Sequence, residues 1–167
     1  MTPAPESRPA ADSFTEMVEV LLPNDANPLG FALGGAVMHL IDIAAAIAAH
    51  RHARTPLVTA SVDGLQFLCP VRIGDLIILR ARLTATFRTS IEVEVEVFSE
   101  ALTSGAGERR RTGIAYLTFV TVGADGQRPE VPSLRLETDE DRRKADAAAR
   151  RRAARLEAKR ALTSSAI

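Results

Sequence analysis

The chain has 167 residues and a mass of 17.9 kDa, enough for one domain and short for two. With 46% hydrophobic and 25% charged residues an ordinary core is expected and global disorder is excluded. Lys plus Arg and Asp plus Glu both total 21, so no bulk field favours nucleic acid or an anionic membrane; one cysteine, Cys69, excludes an intrachain disulfide and a thiolate zinc cage and makes the cytoplasm the expected compartment. The start of the chain lacks the basic-then-apolar order of an export signal. Its longest wholly apolar helical stretch, Ile43 to Ala49, falls far short of the roughly 18 residues that span a bilayer, so neither export nor membrane insertion is expected.

Residues 1–12 hold Pro3, Pro5 and Pro9 among Ala and Ser, a composition expected to form a loose arm outside the fold. Phe14 to Leu22 is rich in β-formers and stops at Pro23-Asn24-Asp25, which reads as a strand and a turn. After a second breaker cluster, Asn27-Pro28-Leu29-Gly30, the stretch from Gly34 to about Ala53 is dominated by Ala, Ile, Leu and Met without proline and predicts the one long core helix. Beyond Pro56 the period drops to two. Strands are expected over Leu57 to Phe67, Leu76 to Phe87, Ile91 to Val97 and Thr112 to Val122, with a loop at Ser104-Gly105-Ala106-Gly107. Alternation of Glu92, Glu94 and Glu96 with valines predicts one wet and one packed face.

The tail from Glu137 to Arg160 puts acids first and arginines after, the polarity a helix dipole favours, and predicts a terminal helix. Its only large apolar residues, Leu156 and Leu162, are too few for deep burial, so it should lie on the surface or dock on a neighbouring subunit. One helix followed by strands at hairpin spacing predicts an α+β chain, a curved antiparallel sheet of about five strands wrapped around a central helix, rather than a doubly wound sheet. Three segments are expected: an arm over 1–12, a domain over 13–132 and a helical tail over 133–167.

Three common enzyme classes drop out, because there is no nucleophile elbow, no phosphate loop and no dinucleotide glycine spacing. His39, His50 and His52 form no zinc pair at their spacing and read as helix-end or solvated groups; no metal is expected. Cys69, between Leu68 and Pro70, reads as a buried inert thiol. Asp42 is different: it interrupts an apolar run near mid-helix, too far from the N-terminus to serve as a cap. On its face lie Gly35, Met38, Ala45, Ala46 and Ala49, small enough for a ligand to approach. A general base and a half-exposed aspartate on the helix rim are both open on periodicity alone. Gly34-Gly35 at the helix start can present bare N–H groups to an oxyanion or merely permit close packing, and Asn27 can act through its amide or simply form the Asn-Pro turn.

Together these residues form a pattern. Asp25 to Gly35, then Met38, Leu40-Ile41-Asp42 and Ala45, then Val58 to Gly64, Pro70-Val71, Gly74-Asp75, Arg88-Thr89-Ser90, and finally Pro132-Ser133-Leu134 with Glu137-Thr138 before an acid-then-base helix, resemble the acyl-CoA thioesterase branch of the hotdog-fold superfamily, single-domain bacterial type, over residues 14–160. Leu33 stands where that family commonly has His or Phe. The resemblance implies Asp42 as catalytic carboxylate, Asn27 as the residue that positions water or polarises the carbonyl, and Gly35 as an oxyanion donor. It implies sites shared across a homodimer, Asn27 of one subunit facing Asp42 of the other, with trimers of such dimers common. It implies no cofactor, coenzyme A entering only as part of the substrate. Arg88, Thr89 and Ser90, with Gly34 and the weaker candidates Arg51 and Arg54, would then meet the acyl-CoA or its phosphates. A hotdog hydratase is disfavoured, because Ile47 stands where that enzyme would carry a histidine; a non-catalytic acyl-CoA-binding module would not need Asp42.

Overall fold

The computed structural model describes residues 6–102 and 107–164; residues 1–5 of the expected arm and Ser104 to Ala106 of the expected loop lie outside them. In chain order the elements are β1 (Arg8–Pro9), β2 (Thr15–Val20), α1 (Gly34–Ala53), β3 (Leu57–Phe67), β4 (Leu76–Phe87), β5 (Ser90–Glu100), β6 (Arg109–Thr121), β7 (Leu134–Arg135) and α2 (Asp139–Ser164). Five strands make one antiparallel sheet in the order β2-β4-β5-β6-β3.

α1 follows from its alanines and the absence of proline, and it stops where Arg54 turns left-handed at φ 52° and Pro56 follows. It touches all five strands of the sheet. Five strands at about 4.8 Å spacing are wider than one helix of about 10 Å, so the sheet must curl around α1. Val37, Ile41, Ala44, Ala45, Ala48 and Ala49 are buried against Leu79, Leu83, Val93, Val95, Leu117 and Phe119. The small alanine face brings the helix axis close to the sheet. This is the expected α+β architecture with its hotdog arrangement of sheet and helix.

Three expectations need correction. Residues 8–12 are not a loose arm: β1 pairs in parallel with β7, Ala10 is buried, and the Arg8 guanidinium bonds the His52 carbonyl. The glutamate face of β5 is not wet. Glu92 and Glu94 are 1% and 4% exposed because α2 lies across them, Arg151 bonding Glu92 at 2.7 Å and Lys144 pairing with Glu94, while Glu96 pairs with Arg111. And α2 docks on its own sheet, with Ala148 as its one buried apolar residue among those described, chiefly through these pairs, through Arg155 on Asp63 and Arg82 on Asp141, and through Arg151 stacked 3.7 Å over the Tyr116 ring. Alternation alone shows that β5 has two faces; it does not show what covers each.

β3 is the outermost strand on its side of the sheet and carries two register shifts against β6, between Thr59 and Ser61 and between Val62 and Gly64. Each adds one residue to β3, so Thr59, Val62 and Leu65, three apart, all pair with the inward-facing Phe119, Leu117 and Ala115. Strict alternation would have turned Val62 away. The outward Asp63 is held by Ser61, Thr118 and Arg155 under α2.

Candidate active site

Asp42 sits two turns into α1, half-buried, and its Oδ1 accepts a hydrogen bond from Thr59 Oγ1 at 2.7 Å. Among the described residues Oδ2 accepts none, so one carboxylate oxygen is fixed and the other is free for water. The carboxylate lies on the wall of a cavity of about 370 Å3 between α1, β3 and β6. Gly35, Met38 and His39 share the helix side of that cavity. Val62, Leu65, Ala115 and Leu117 form the sheet side, so apart from Asp42, Thr59 and His39 the lining is apolar or glycine. Of the small residues expected around Asp42, Gly35 borders the cavity, whereas Ala45 and Ala49 face the core.

The start of α1 is uncapped. Leu33 occupies the cap position without a side-chain bond; its carbonyl receives the N–H of Ala36 and Val37, and the N–H groups of Gly34 and Gly35 have no partner among the described residues. A Cβ built on Gly35 would meet nothing within 4 Å, whereas at Gly34 it would meet the Phe67 ring at 3.5 Å. Gly35 thus combines a bare donor with open space, the two requirements of an oxyanion site.

Asn27 is elsewhere in the chain. Its Oδ1 accepts the N–H groups of Leu29 and Phe31 at 2.9 and 3.2 Å, which closes the turn and leaves its amide NH2 without a partner among the described residues. It lines a second cavity, of about 510 Å3, together with Gly34, Phe67 and Cys69. Within one chain, therefore, Asp42 and Asn27 border different cavities on either side of the α1 N-terminus. Cys69 is half-buried at that cavity, not sealed in the core as expected, with Sγ 3.7 Å from the Arg111 carbonyl.

The remaining candidates lie outside the Asp42 cavity, Arg88 to Ser90 at the end of the sheet where β3 begins. Arg88 and Thr89 form the turn between β4 and β5 and Ser90 opens β5; none of the three borders the Asp42 cavity. Arg88 is largely exposed and reaches Glu130 only at 3.9 Å. Arg51 is engaged, donating to the Phe14 carbonyl at 2.7 Å and to Thr15 Oγ1 at 2.9 Å, and Arg54 is the exposed cap of α1.

Two residues near the site escape a reading by parity. Thr59 looks like any strand threonine until the fold sets it against Asp42, and His39 becomes a cavity-rim group only because α1 turns that face to β3. His39 and His50 are exposed, and His52 stands at the helix end as expected, there buried. It is 2% exposed, its Nε2 is 2.8 Å from the Pro132 carbonyl, and its Nδ1 is buried without a partner. Burial, aided by the Arg8 charge, holds His52 below its ordinary value against the opposing Pro132 bond and Asp12.

Residues 29–106 match the family model of the thioesterase superfamily. The chain is 36% identical over 137 residues to an uncharacterised acyl-CoA thioester hydrolase of Bacillus subtilis, covering 82% of this chain and 78% of that one. The chain belongs to the acyl-CoA thioester hydrolases of the thioesterase superfamily. It is also 35% identical over 140 residues to the human cytosolic acyl coenzyme A thioester hydrolase; those residues are 84% of this hydrolase-family chain but span only 37% of the human protein's length. A hexameric acyl-CoA thioesterase superposes with a TM-score of 0.85 at 38% identity, over 91% of this chain and 96% of that one. The acyl-CoA hydrolase of Staphylococcus aureus, solved with butyryl coenzyme A, coenzyme A and coenzyme A disulfide, gives 0.85 at 29% identity, over 96% and 99%. Solved variants of that hydrolase replace an asparagine, an aspartate and a threonine by alanine, at the same intervals that separate Asn27, Asp42 and Thr59 here.

Proposed function

We propose that this chain hydrolyses acyl-CoA thioesters to a carboxylic acid and coenzyme A. The observation that carries the reading is the Asp42 carboxylate, oriented by Thr59 with one oxygen free, on the wall of an otherwise apolar cavity that begins beside the uncapped start of α1. Asp42 takes a proton from water as the oxygen adds to the thioester carbonyl, or itself attacks the carbonyl carbon to give a mixed anhydride that water opens. On either route the C–S bond breaks, the sulfur leaves as a thiolate that is then protonated, and the carbonyl oxygen gathers negative charge. In this reading the Gly35 N–H, which has no partner among the described residues, meets that charge.

The site is read as shared between two copies. Asn27 and Asp42 of one chain border separate cavities, which supports a reading in which the amide meets the carboxylate of a second chain. β3 offers the surface for it: an outer strand with one edge unpaired and Val58, Val62 and Phe67 exposed, flanked on α1 by exposed Met38 and Ile47. The proposed assembly is a homodimer, or a trimer of such dimers. The substrate phosphates require cations at the rim; of the candidates Arg88 and Arg54 are exposed, whereas Arg51 is engaged by Phe14 and Thr15. The reading calls for no cofactor. A cytoplasmic setting follows the name of the human relative, and no helix among the described residues is long and apolar enough to cross a membrane.

The test is thiol release from acetyl-, octanoyl-, palmitoyl- and benzoyl-CoA. Asp42→Asn is expected to lower turnover at least about 100-fold, the scale of a lost base, while coenzyme A binding and assembly persist. Full activity in that variant removes the mechanism.

A further inference from the structure

Two cavities flank the first turns of α1, and a thioester has two arms to place. The sulfur arm carries amides and leads to phosphates, so it must run toward solvent. The acyl arm is apolar and is stabilised by every methylene it buries. Hydrolysis fixes the junction of the two, because the carbonyl carbon must come within about 3–3.5 Å of the oxygen that attacks it. The attacking group is at Asp42, and beyond Asp42 and Thr59 the interior of that cavity is Ile41, Val62, Leu65, Ala115 and Leu117, without a polar side chain. The larger cavity holds the polar Asn27 and Thr112 and, within the chain, no carboxylate.

We infer that the acyl chain enters the Asp42 cavity and that Ala115, on its floor, sets the length and bulk of chain accepted; this rests on the thioesterase reading above. The inward side chains of β6 run Gly113, Ala115, Leu117 and Phe119, so size grows steadily along the strand. Of these only Ala115 and Leu117 reach the cavity, and Ala115 is the one that leaves room. It is fully buried, with Leu65 across from it on β3 and Val95 across from it on β5. Those two neighbours block sideways growth, so atoms added at 115 project toward α1 and into the cavity. The Ala115 side chain is inert and makes no contact with the reacting groups; its role is to define space.

The experiment measures kcat/KM of the full chain on straight acyl-CoAs from two to sixteen carbons. Ala115→Leu is expected to cost at least tenfold more on the longest chain the wild type accepts than on acetyl-CoA, with Ala115→Val intermediate. Leu65→Ala, at the half-buried partner of Ala115, is expected to move the preference toward longer chains. Cys69→Phe, which fills the other cavity, is expected to change all lengths by one common factor. The inference is overturned if Ala115→Val and Leu65→Ala leave the length profile unmoved in a wild-type-active background, or if the profile moves with Cys69→Phe instead. Should Ala115→Leu fail to fold, the Val and Leu65→Ala variants carry the decision. A wild type that hydrolyses no acyl-CoA overturns the thioesterase reading and this one with it, a different result from an active enzyme with an unmoved profile.

Discussion

The Thr59 hydroxyl is the nearest polar group to Asp42, and its contribution can be separated from that of the carboxylate it holds. A hydrogen bond to a charged acceptor contributes about 1.5–3 kcal/mol, which corresponds to roughly ten- to 150-fold in a rate when the bond fixes the reactive rotamer. Thr59→Val keeps the shape and removes the donor, so kcat is expected to fall by about that factor with KM little changed. Thr59→Ser restores the donor and should recover most of the loss. A Val variant at wild-type rate would mean that the 2.7 Å contact does not position the base. Asp42 stands out in sequence because an acid in an apolar helical run needs a reason; Thr59 does not, because one more threonine in a strand violates nothing.

At the scale of elements, the sequence was most legible where local chemistry decides. α1, β3 and β4 have the bounds that their breakers and periods predict, because Pro56, Gly74 and the alanine run act on their own neighbourhoods. Covering of the β5 glutamates was illegible, because it depends on α2, about fifty residues later, returning to lie across them. The bulges of β3 were illegible too: nothing in Thr59 to Gly64 marks which residue is extra. α2 in turn is anchored by charge, and its first turn is the anchor. Thr138 Oγ1 accepts the Asp141 N–H while the Asp141 carboxylate accepts the N–H groups of Thr138 and Glu137, a reciprocal cap that also holds Arg82. Burial works against the charged form of Asp141, but the Thr138 and Glu137 bonds and Arg82 outweigh it and hold the carboxyl below its ordinary value of 3.8. A carboxyl lowered on folding stabilises the fold fully above that ordinary value and loses the contribution as pH falls through the lowered one. Asp141→Ala is therefore expected to cost about 1–2 kcal/mol at neutral pH, read by denaturant unfolding, and to flatten the acid limb of the stability profile. An unchanged acid limb would count against the cap as the source.

Over the whole molecule, apolar surface is distributed unevenly. The outer face of the sheet is closed by α2 and its ion pairs, the inner face by α1, and the long exposed side is the β3 edge with Val58, Val62 and Phe67. A strand of eleven residues with one edge unpaired and apolar flanks is unusual for a chain that works alone. The fold class was legible from the order of strand, helix and four strands. The proposed division of the site was legible only through resemblance, since no periodicity tells a reader that Asn27 and Asp42 will border different cavities.

That division has a genetic signature. If each working centre draws its amide from one copy and its acid from the other, Asn27→Ala and Asp42→Asn are each dead alone yet complementary when co-expressed. In a mixed pair both lesions fall in the same centre and the other is intact. Random assortment of equal amounts makes half of the pairs mixed, each with one good centre of two, so activity should return to about a quarter of wild type. No recovery on mixing would mean that every copy supplies a complete centre by itself.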